Sequence, residues 1–366
     1  MRLAIVLVHY HTPGLAALAL EALWADVQGL AGMAVDWLLV DNGSDAEERD
    51  RLAALPARRI DPGGNLGYAG GVNRGVAETD AGLIVVMNPD VIVLPGCVPA
   101  LIDRLRTAED ARAVAGPACY WDHGRRLLLP PAEKRSRREE VSTLLACRGE
   151  ARGARARRRW RRHARRHWEA CSPLPSHALS GSLLALTRPA WEAVGPFDEG
   201  FRLFFEETDW LLRAGRRGVP SWYVPAAGAV HLYNQSAGRE PRAQAWFEES
   251  ARRFRRLHYG EGFAAAVETL DRRLPPPALP ALSPIPPAGL DLAGLPFPLW
   301  VEVSPNPAGF PAAAELLRES PAGPWRLPEE VEDRLPAGTV LTVQAVDAAG
   351  RELRRGRWAR GTGGGG

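Results

Sequence analysis

Largely apolar runs, each closed by a turn cluster and followed by a helical period, restrict the fold of this chain more than any other feature. Leu3–Val8, Val35–Val40 and Leu83–Met87 read as buried strands, and Arg59-Ile60-Asp61 as a shorter one. Between and after them, Leu15–Trp24, Ala46–Leu55, Ala69–Thr79 and Pro99–Arg106 read as helices, and Ala113–Ala115 opens a further strand. On the first helix the spacing puts Leu15, Leu18, Ala19, Ala22 and Leu23 on one side. Alternation of this kind predicts an α/β fold: a mostly parallel central sheet with helices on both faces. Pro89 cannot donate to a ladder, so the fourth strand ends at Asn88-Pro89-Asp90. Asp90 is thereby placed at a carboxyl strand end, where open α/β sheets bind ligands. Asp41 closes the second strand in the same way, ahead of the cap-rich turn Asn42-Gly43-Ser44-Asp45.

The glycines of Gly63–Gly75 do not form a dinucleotide fingerprint after the first strand, and no Walker A lysine follows them. They fit either tight turns with close helix packing or a helix N-terminus approached by a polar ligand. Further on, Leu179–Leu186 reads as a strand, Thr208–Arg217 as a helix with Glu206 and Glu207 just before it, Trp222–Val224 as a short strand, and Ala229–His231 as a further edge or loop segment. The order of Asp41, Asp90, Glu206, Glu207 and His231 suits a divalent metal bridging two phosphates, with a carboxylate left to take a hydroxyl proton. Ordinary caps and surface acids share that spacing.

At 366 residues the chain has room for one large domain and a smaller one. Residues 1–265 form the expected main domain, interrupted at 130–175 by a basic insertion. Nine arginines and no acid lie between Arg152 and Arg166, with Trp160, Ala164 and Trp168 recurring every four residues. Such a segment is an exposed excursion with its tryptophans docked on the body, or an attachment to an anionic membrane surface or a lipid-linked substrate. Nucleic-acid binding is disfavoured, since no recognition module accompanies it. His163 and His167 lack the acidic neighbour of a zinc motif and are not read as a metal pair. Residues 266–298 read as a proline-rich linker, 299–357 as a small β-containing domain with a helical piece at Ala312–Leu317, and 358–366 as a disordered tail. The four cysteines are widely spaced, and neither a secretory signal nor a membrane span is read, so a cytoplasmic setting is expected.

An ordered set of motifs carries a family resemblance over about residues 1 to 260. The set is Val40–Asp45, Asn65–Gly75, Met87–Asp90, Ser180-Gly181-Ser182, Gly195–Glu199, Phe205–Trp210 and Pro225–His231. The chain resembles the inverting family 2 glycosyltransferases of the nucleotide-sugar-binding GT-A fold, and most resembles the rhamnosyltransferase-like branch of bacterial surface polysaccharide synthesis. That resemblance implies transfer of a sugar from a dTDP- or UDP-linked donor to a saccharide or lipid-linked acceptor, with Mg2+ or Mn2+. It implies that His9, Asp41, Asn65, Gly67, Asn73, Asn88 and Asp90 contact the donor. It implies that Asp90 and His231 hold the metal, and that Glu207, with Glu206 as the alternative, is the general base. Two departures stand out: Asn88 replaces the first Asp of a D-x-D, and Glu207 replaces the usual Asp, one methylene shorter. The rival readings are a sugar nucleotidyltransferase and a silent nucleotide-sugar-binding scaffold. An enzyme of this kind would work at the inner face of the cell membrane as a peripheral protein.

Overall fold

The computed structural model describes residues 1–30, 32–133, 135–233, 235, 242–274, 279 and 281–360. Pro275-Pro276-Pro277 and Gly361–Gly366, read above as linker and tail, lie outside the described residues. The elements run β1 (Arg2–His9), α1 (Pro13–Val27), β2 (Ala34–Asp41), α2 (Ala46–Ala53), β3 (Arg58–Ile60), α3 (Gly67–Ala77), β4 (Leu83–Met87), β5 (Val91–Val93), α4 (Cys97–Arg106) and β6 (Val114–Tyr120). Then come α5 (Arg137–Ala146), α6 (Glu150–Trp168), β7 (Leu174–Pro175), β8 (Leu183–Thr187), α7 (Arg188–Val194), α8 (Glu206–Arg216), β9 (Ser221–His231), α9 (Ala243–Tyr259) and α10 (Glu261–Arg273). The chain closes with β10 (Leu299–Ser304), β11 (Ala313–Leu317), α11 (Glu329–Arg334), β12 (Val340–Asp347) and β13 (Glu352–Ala359). Two compact units result. The first holds 1–119, 131–134 and 169–265; the second holds 120–130, 135–168 and 266–366.

The first unit is built on a nine-stranded sheet of order β3-β2-β1-β4-β8-β6-β9-β5, with β7 added beside β9. The β3-β2-β1-β4 half is parallel, as strand–helix alternation requires. From β8 onward the neighbours whose pairing is resolved run antiparallel, so the sheet is mixed. Leu3, Ile5 and Leu7 on one face of β1 share a core with α1 and α4. The other face meets α3, and it does so closely: a side chain begun at Gly75 would stand 2.3 Å from Val6 Cγ1. The glycine-rich run therefore serves close packing here. On α1 the buried face is Ala16, Ala19, Leu20 and Leu23, while Leu18 is exposed. The short strand and the separate edge or loop segment expected here form one strand, β9; Pro225 does not break it, because it falls between the stretch paired to β7 and the stretch paired to β5.

The second unit is a four-stranded antiparallel sheet of order β11-β10-β12-β13. Leu299, Val301 and Val303 pack on one side with Trp121, Leu290, Leu292 and Trp325. Trp300 and Ala314 pack on the other with Trp160, Ala164 and Trp168 of α6. The basic segment expected as an insertion in the main domain thus groups with the C-terminal strands. Two further expectations change. Ala312–Leu317 is strand β11, not a helix, since Ala313–Leu317 pair residue for residue with β10. Ile285, Leu290, Leu292 and Leu295 belong to the apolar core of this unit and are not linker. No helix among the described residues is long and apolar enough to cross a membrane.

Candidate active site

Four elements of the first unit end at one edge of its sheet. Beyond β1 comes Tyr10, beyond β2 comes Asn42, and beyond β4 come Asn88 and Asp90. Strand β8 runs antiparallel to β4, so its leading residues Ser180-Gly181-Ser182 arrive at the same edge, where Ser182 O accepts from Asn88 N at 2.9 Å. They line a cavity of about 520 Å³ that also receives Asn65, Gly67, Tyr68, Glu206, Glu207 and His231.

Strand register places the histidine. Val91 of β5 lies opposite His231 of β9, which brings Asp90 alongside. His231 Nε2 stands 3.5 Å from Asp90 Oδ1, too far for a good hydrogen bond, while Asp90 Oδ2 accepts from Gln235 N at 3.2 Å. Burial works against the ionised form of Asp90, but the His231 imidazole and the Gln235 N–H outweigh it and hold the carboxyl below its ordinary range. Asp90 Oδ1 and Asn88 Oδ1 are both buried and have no hydrogen-bond partner among the described residues.

The carboxylate pair is positioned by backbone strain. Phe204 and Phe205 both adopt left-handed φ angles, 67° and 71°, and turn the chain abruptly into α8. Glu206 and Glu207 are therefore inside the first turn of the helix, not before it, where the dipole favours acids. Glu206 is buried, and its Oε2 has no partner among the described residues. Burial, reinforced by the charge of Glu207, lifts the Glu206 carboxyl well above its ordinary range. Glu207 is half-buried and lies against Gly181, where a side chain would begin 2.6 Å from Glu207 Cγ. Tyr68 donates from its hydroxyl to Gly181 O at 3.0 Å. Burial, then the charges of Glu206, Glu207 and Asp90, push that phenol well above its usual range.

Of the residues expected in the site, Asn65, Gly67, Asn88, Asp90, Glu206, Glu207 and His231 line the cavity, and His9, Asp41 and Asn73 do not. His9 is fully buried. Its Nε2 accepts from Thr12 N at 2.9 Å and its Nδ1 meets Ser44 Oγ at 3.2 Å, so it ties the loop after β1 to the loop after β2. Asp41 accepts from Ser44 N and from Arg59 Nη1, both at 3.0 Å. Burial opposes its charge, yet these bonds prevail and hold the carboxyl below its ordinary range. Asn73 grips the loop before α8, accepting from Phe197 N and donating to Phe197 O and Glu199.

Sequence reasoning passed over Asn42, which donates to Asn65 Oδ1 and Gly67 O and accepts from Leu66 N, fixing the loop that carries Asn65. It also passed over the wall formed by Phe204, Tyr233, Trp246, Phe247 and Arg202. Asn42 had a visible signal as the residue directly after a strand-closing acid. An aromatic on a helix such as α9 has none, because core and pocket positions share one period.

Among the described residues no three His, Cys, Asp or Glu side chains gather as a metal cluster. The donors present at Asp90 are one carboxylate oxygen and one amide oxygen without partners, with an imidazole beside them. That set fits a hard divalent ion which keeps several waters or substrate phosphates as ligands.

The sequence model for glycosyl transferase family 2 matches residues 6–159. The chain is 34% identical over 224 residues to an N-acetylglucosaminyl-diphospho-decaprenol L-rhamnosyltransferase of Mycobacterium tuberculosis, a match spanning 57% of this chain and 69% of that protein. It is 22% identical over 252 residues to a hexosyltransferase of low-salt glycan biosynthesis from Haloferax volcanii, spanning 68% of this chain and 70% of that one. Among solved structures, a mannosyltransferase of Pyrobaculum calidifontis in complex with GDP-Man and Mn2+ superposes with a TM-score of 0.43 at 14% identity, over 76% of each chain. The mixed sheet with a cleft at its strand ends carries the site of a sugar-transferring enzyme, of the broad hexosyl- or rhamnosyltransferase type. The chain belongs to glycosyltransferase family 2.

Proposed function

We propose that this protein moves a sugar, with inversion, from a dTDP- or UDP-linked donor to a hydroxyl of a lipid-linked saccharide at the inner face of the cell membrane. The observation that carries the reading is the pairing of two unlike carboxyl sites across one cavity. At one side are Asp90, held ionised, and the unpartnered oxygens of Asp90 and Asn88. At the other are Glu206 and Glu207 in one helix turn. Asp90, with His231 and Asn88, would hold Mg2+ or Mn2+, which when bound neutralises the departing diphosphate.

The division of labour between the glutamates follows from their surroundings. Burial, reinforced by the charge of Glu207, favours the neutral form of Glu206, which suits it to donate a hydrogen bond rather than to act as the base. Glu207 takes the proton of the acceptor hydroxyl. The freed oxygen bonds to the anomeric carbon, and the bond to the donor diphosphate breaks with its electron pair on the diphosphate oxygen. Gly181 leaves room for the longer glutamate where the family usually has aspartate. Asn65, Gly67 and Asn42 form one hydrogen-bonded loop and present the nucleotide end of the cavity. An acceptor of the lipid-linked class is supported by the name of the Mycobacterium relative, an N-acetylglucosaminyl-diphospho-decaprenol L-rhamnosyltransferase.

The test is turnover of purified protein with Mn2+, dTDP-rhamnose or a panel of UDP-sugars, and a polyprenyl-diphosphate N-acetylglucosamine analogue, with the product anomer assigned by NMR. An inverted product is expected. Glu207→Gln should lower kcat about 100-fold or more while donor binding persists. A retained configuration, or wild-type kcat in Glu207→Gln, would overturn the assignment. Release of pyrophosphate from a nucleoside triphosphate and a sugar phosphate would favour a nucleotidyltransferase instead.

A further inference from the structure

Helix α6 separates its arginines into two sets. Arg157 and Arg161 are buried. Arg157 pairs with Glu150 and Glu352, and Arg161 with Glu302 at 2.8 Å and Glu352 at 3.0 Å. Arg165 donates to Ala348 O and Asp347 O, and Arg159 lies 3.6 Å from Glu139. Arg155, Arg158, Arg162 and Arg166 are exposed, and among the described residues none has an acidic partner. At 3.6 residues per turn these four fall within an arc of about 80°, opposite the stripe of Ala156, Trp160 and Ala164 that faces the core.

We propose that this face of α6 docks the second unit on the anionic phospholipid surface of a bilayer. The helix is held rigidly from behind, so its four guanidinium groups form a ridge about 16 Å long without costly reordering. Its exposed face carries no aromatic side chain, because Trp160 and Trp168 are turned into the core. Stacking on unpaired bases is therefore absent, and phosphate charge is the feature this ridge recognises. The choice of a bilayer over another polyanion rests on the lipid-linked acceptor proposed above. A soluble acceptor would give no reason for the ridge to meet a membrane.

The experiment is co-sedimentation of the full chain with vesicles of phosphatidylcholine alone or with 30 mol% phosphatidylglycerol (about the anionic content of many bacterial membranes), at low and high salt. Wild type is expected to bind only the anionic vesicles, and to be released by salt. One arginine near such a surface is worth about fivefold in partition, so the Arg155→Ser, Arg158→Ser, Arg162→Ser, Arg166→Ser variant should lose a factor on the order of several hundred. The matching four-lysine variant should bind like wild type, and both should keep wild-type circular dichroism and donor hydrolysis. Equal binding by the serine variant and wild type, or equal binding to neutral vesicles, overturns the proposal. So does tighter binding to duplex RNA than to anionic vesicles at the same salt. Binding by a protein that transfers no sugar would sink the function while leaving this surface standing, and transfer without binding would do the reverse.

Discussion

Gly181 shows how little space the carboxylate pair has. With its Cβ 2.6 Å from Glu207 Cγ, Gly181→Ala must push the proposed base aside. A displacement near 1 Å is enough to lower kcat by roughly 10- to 100-fold. Steady-state kinetics beside a thermal melt would check this, with the melting temperature expected to move by only a few degrees. His9 offers a different readout. In the unfolded chain its imidazole takes a proton near 6.5; in the fold, burial keeps it neutral to lower pH. As pH falls through 6.5 the unfolded chain therefore binds more protons than the native one, and stability is lost. Buried Glu206 works in the opposite direction, since its folded carboxyl holds a proton that the unfolded one releases above about 4.5. The His9 contribution is isolated by comparison: the slope of melting temperature between pH 5.5 and 7.5 should be less positive in His9→Gln than in wild type. Parallel slopes would refute it. At this scale residue type and motif order marked Asp90, Glu206, Glu207 and His231, and these four line one cavity. His9, Asp41 and Asn73 do not line that cavity, and the sequence could not separate them from those that do, because a polar residue that ties loops together and one facing a cavity have the same local signature. Only the tertiary bonds to Thr12, Ser44 and Phe197 tell them apart.

Elements were legible where burial and period agree, as in β1, β4 and α3. They were misread where pairing overrides propensity. Ala313–Leu317 is composed of good helix formers, yet it pairs as a strand along β10, so tertiary context decides. The most consequential long-range pairing is ionic. Glu302 lies on β10 with no solvent exposure, beside Arg161. Burial raises its carboxyl, and the arginine only partly reverses that. Arg161→Met should therefore leave an unpaired buried acid and cost about 3–5 kcal/mol. Replacing both partners by methionine should recover most of the loss, since an apolar pair removes the desolvation penalty along with the attraction. Chemical denaturation of the single and double variants measures the difference. A double variant as unstable as the single one would show that the pair is not coupled.

At the level of the whole molecule, the sequence suggested a catalytic domain with an insertion, then a linker, then an appendage. The second unit is instead assembled from three stretches of chain: 120–130, 135–168 and 266–366. No local pattern could reveal this, because the partners of Trp160 and Trp168 are Phe310 and Trp300, well over a hundred residues further along the chain. The consequence is specific. A truncation after residue 265 removes β10–β13 and strips the cover from Trp160, Ala164 and Trp168. It also takes both acids, Glu302 and Glu352, from Arg161 and leaves Arg157 with Glu150 alone. That protein should be poorly soluble and should bind a hydrophobic dye strongly, since a stripped face of two tryptophans and an alanine, beside one unpaired arginine, has nothing to shield it. A variant in which residues 121–168 are also replaced by a flexible linker loses both halves of this core together and should stay soluble. Soluble yield and dye fluorescence of the two proteins, measured side by side, decide the matter. A clean, dye-negative truncation at 265 would mean that α5 and α6 do not depend on the C-terminal strands.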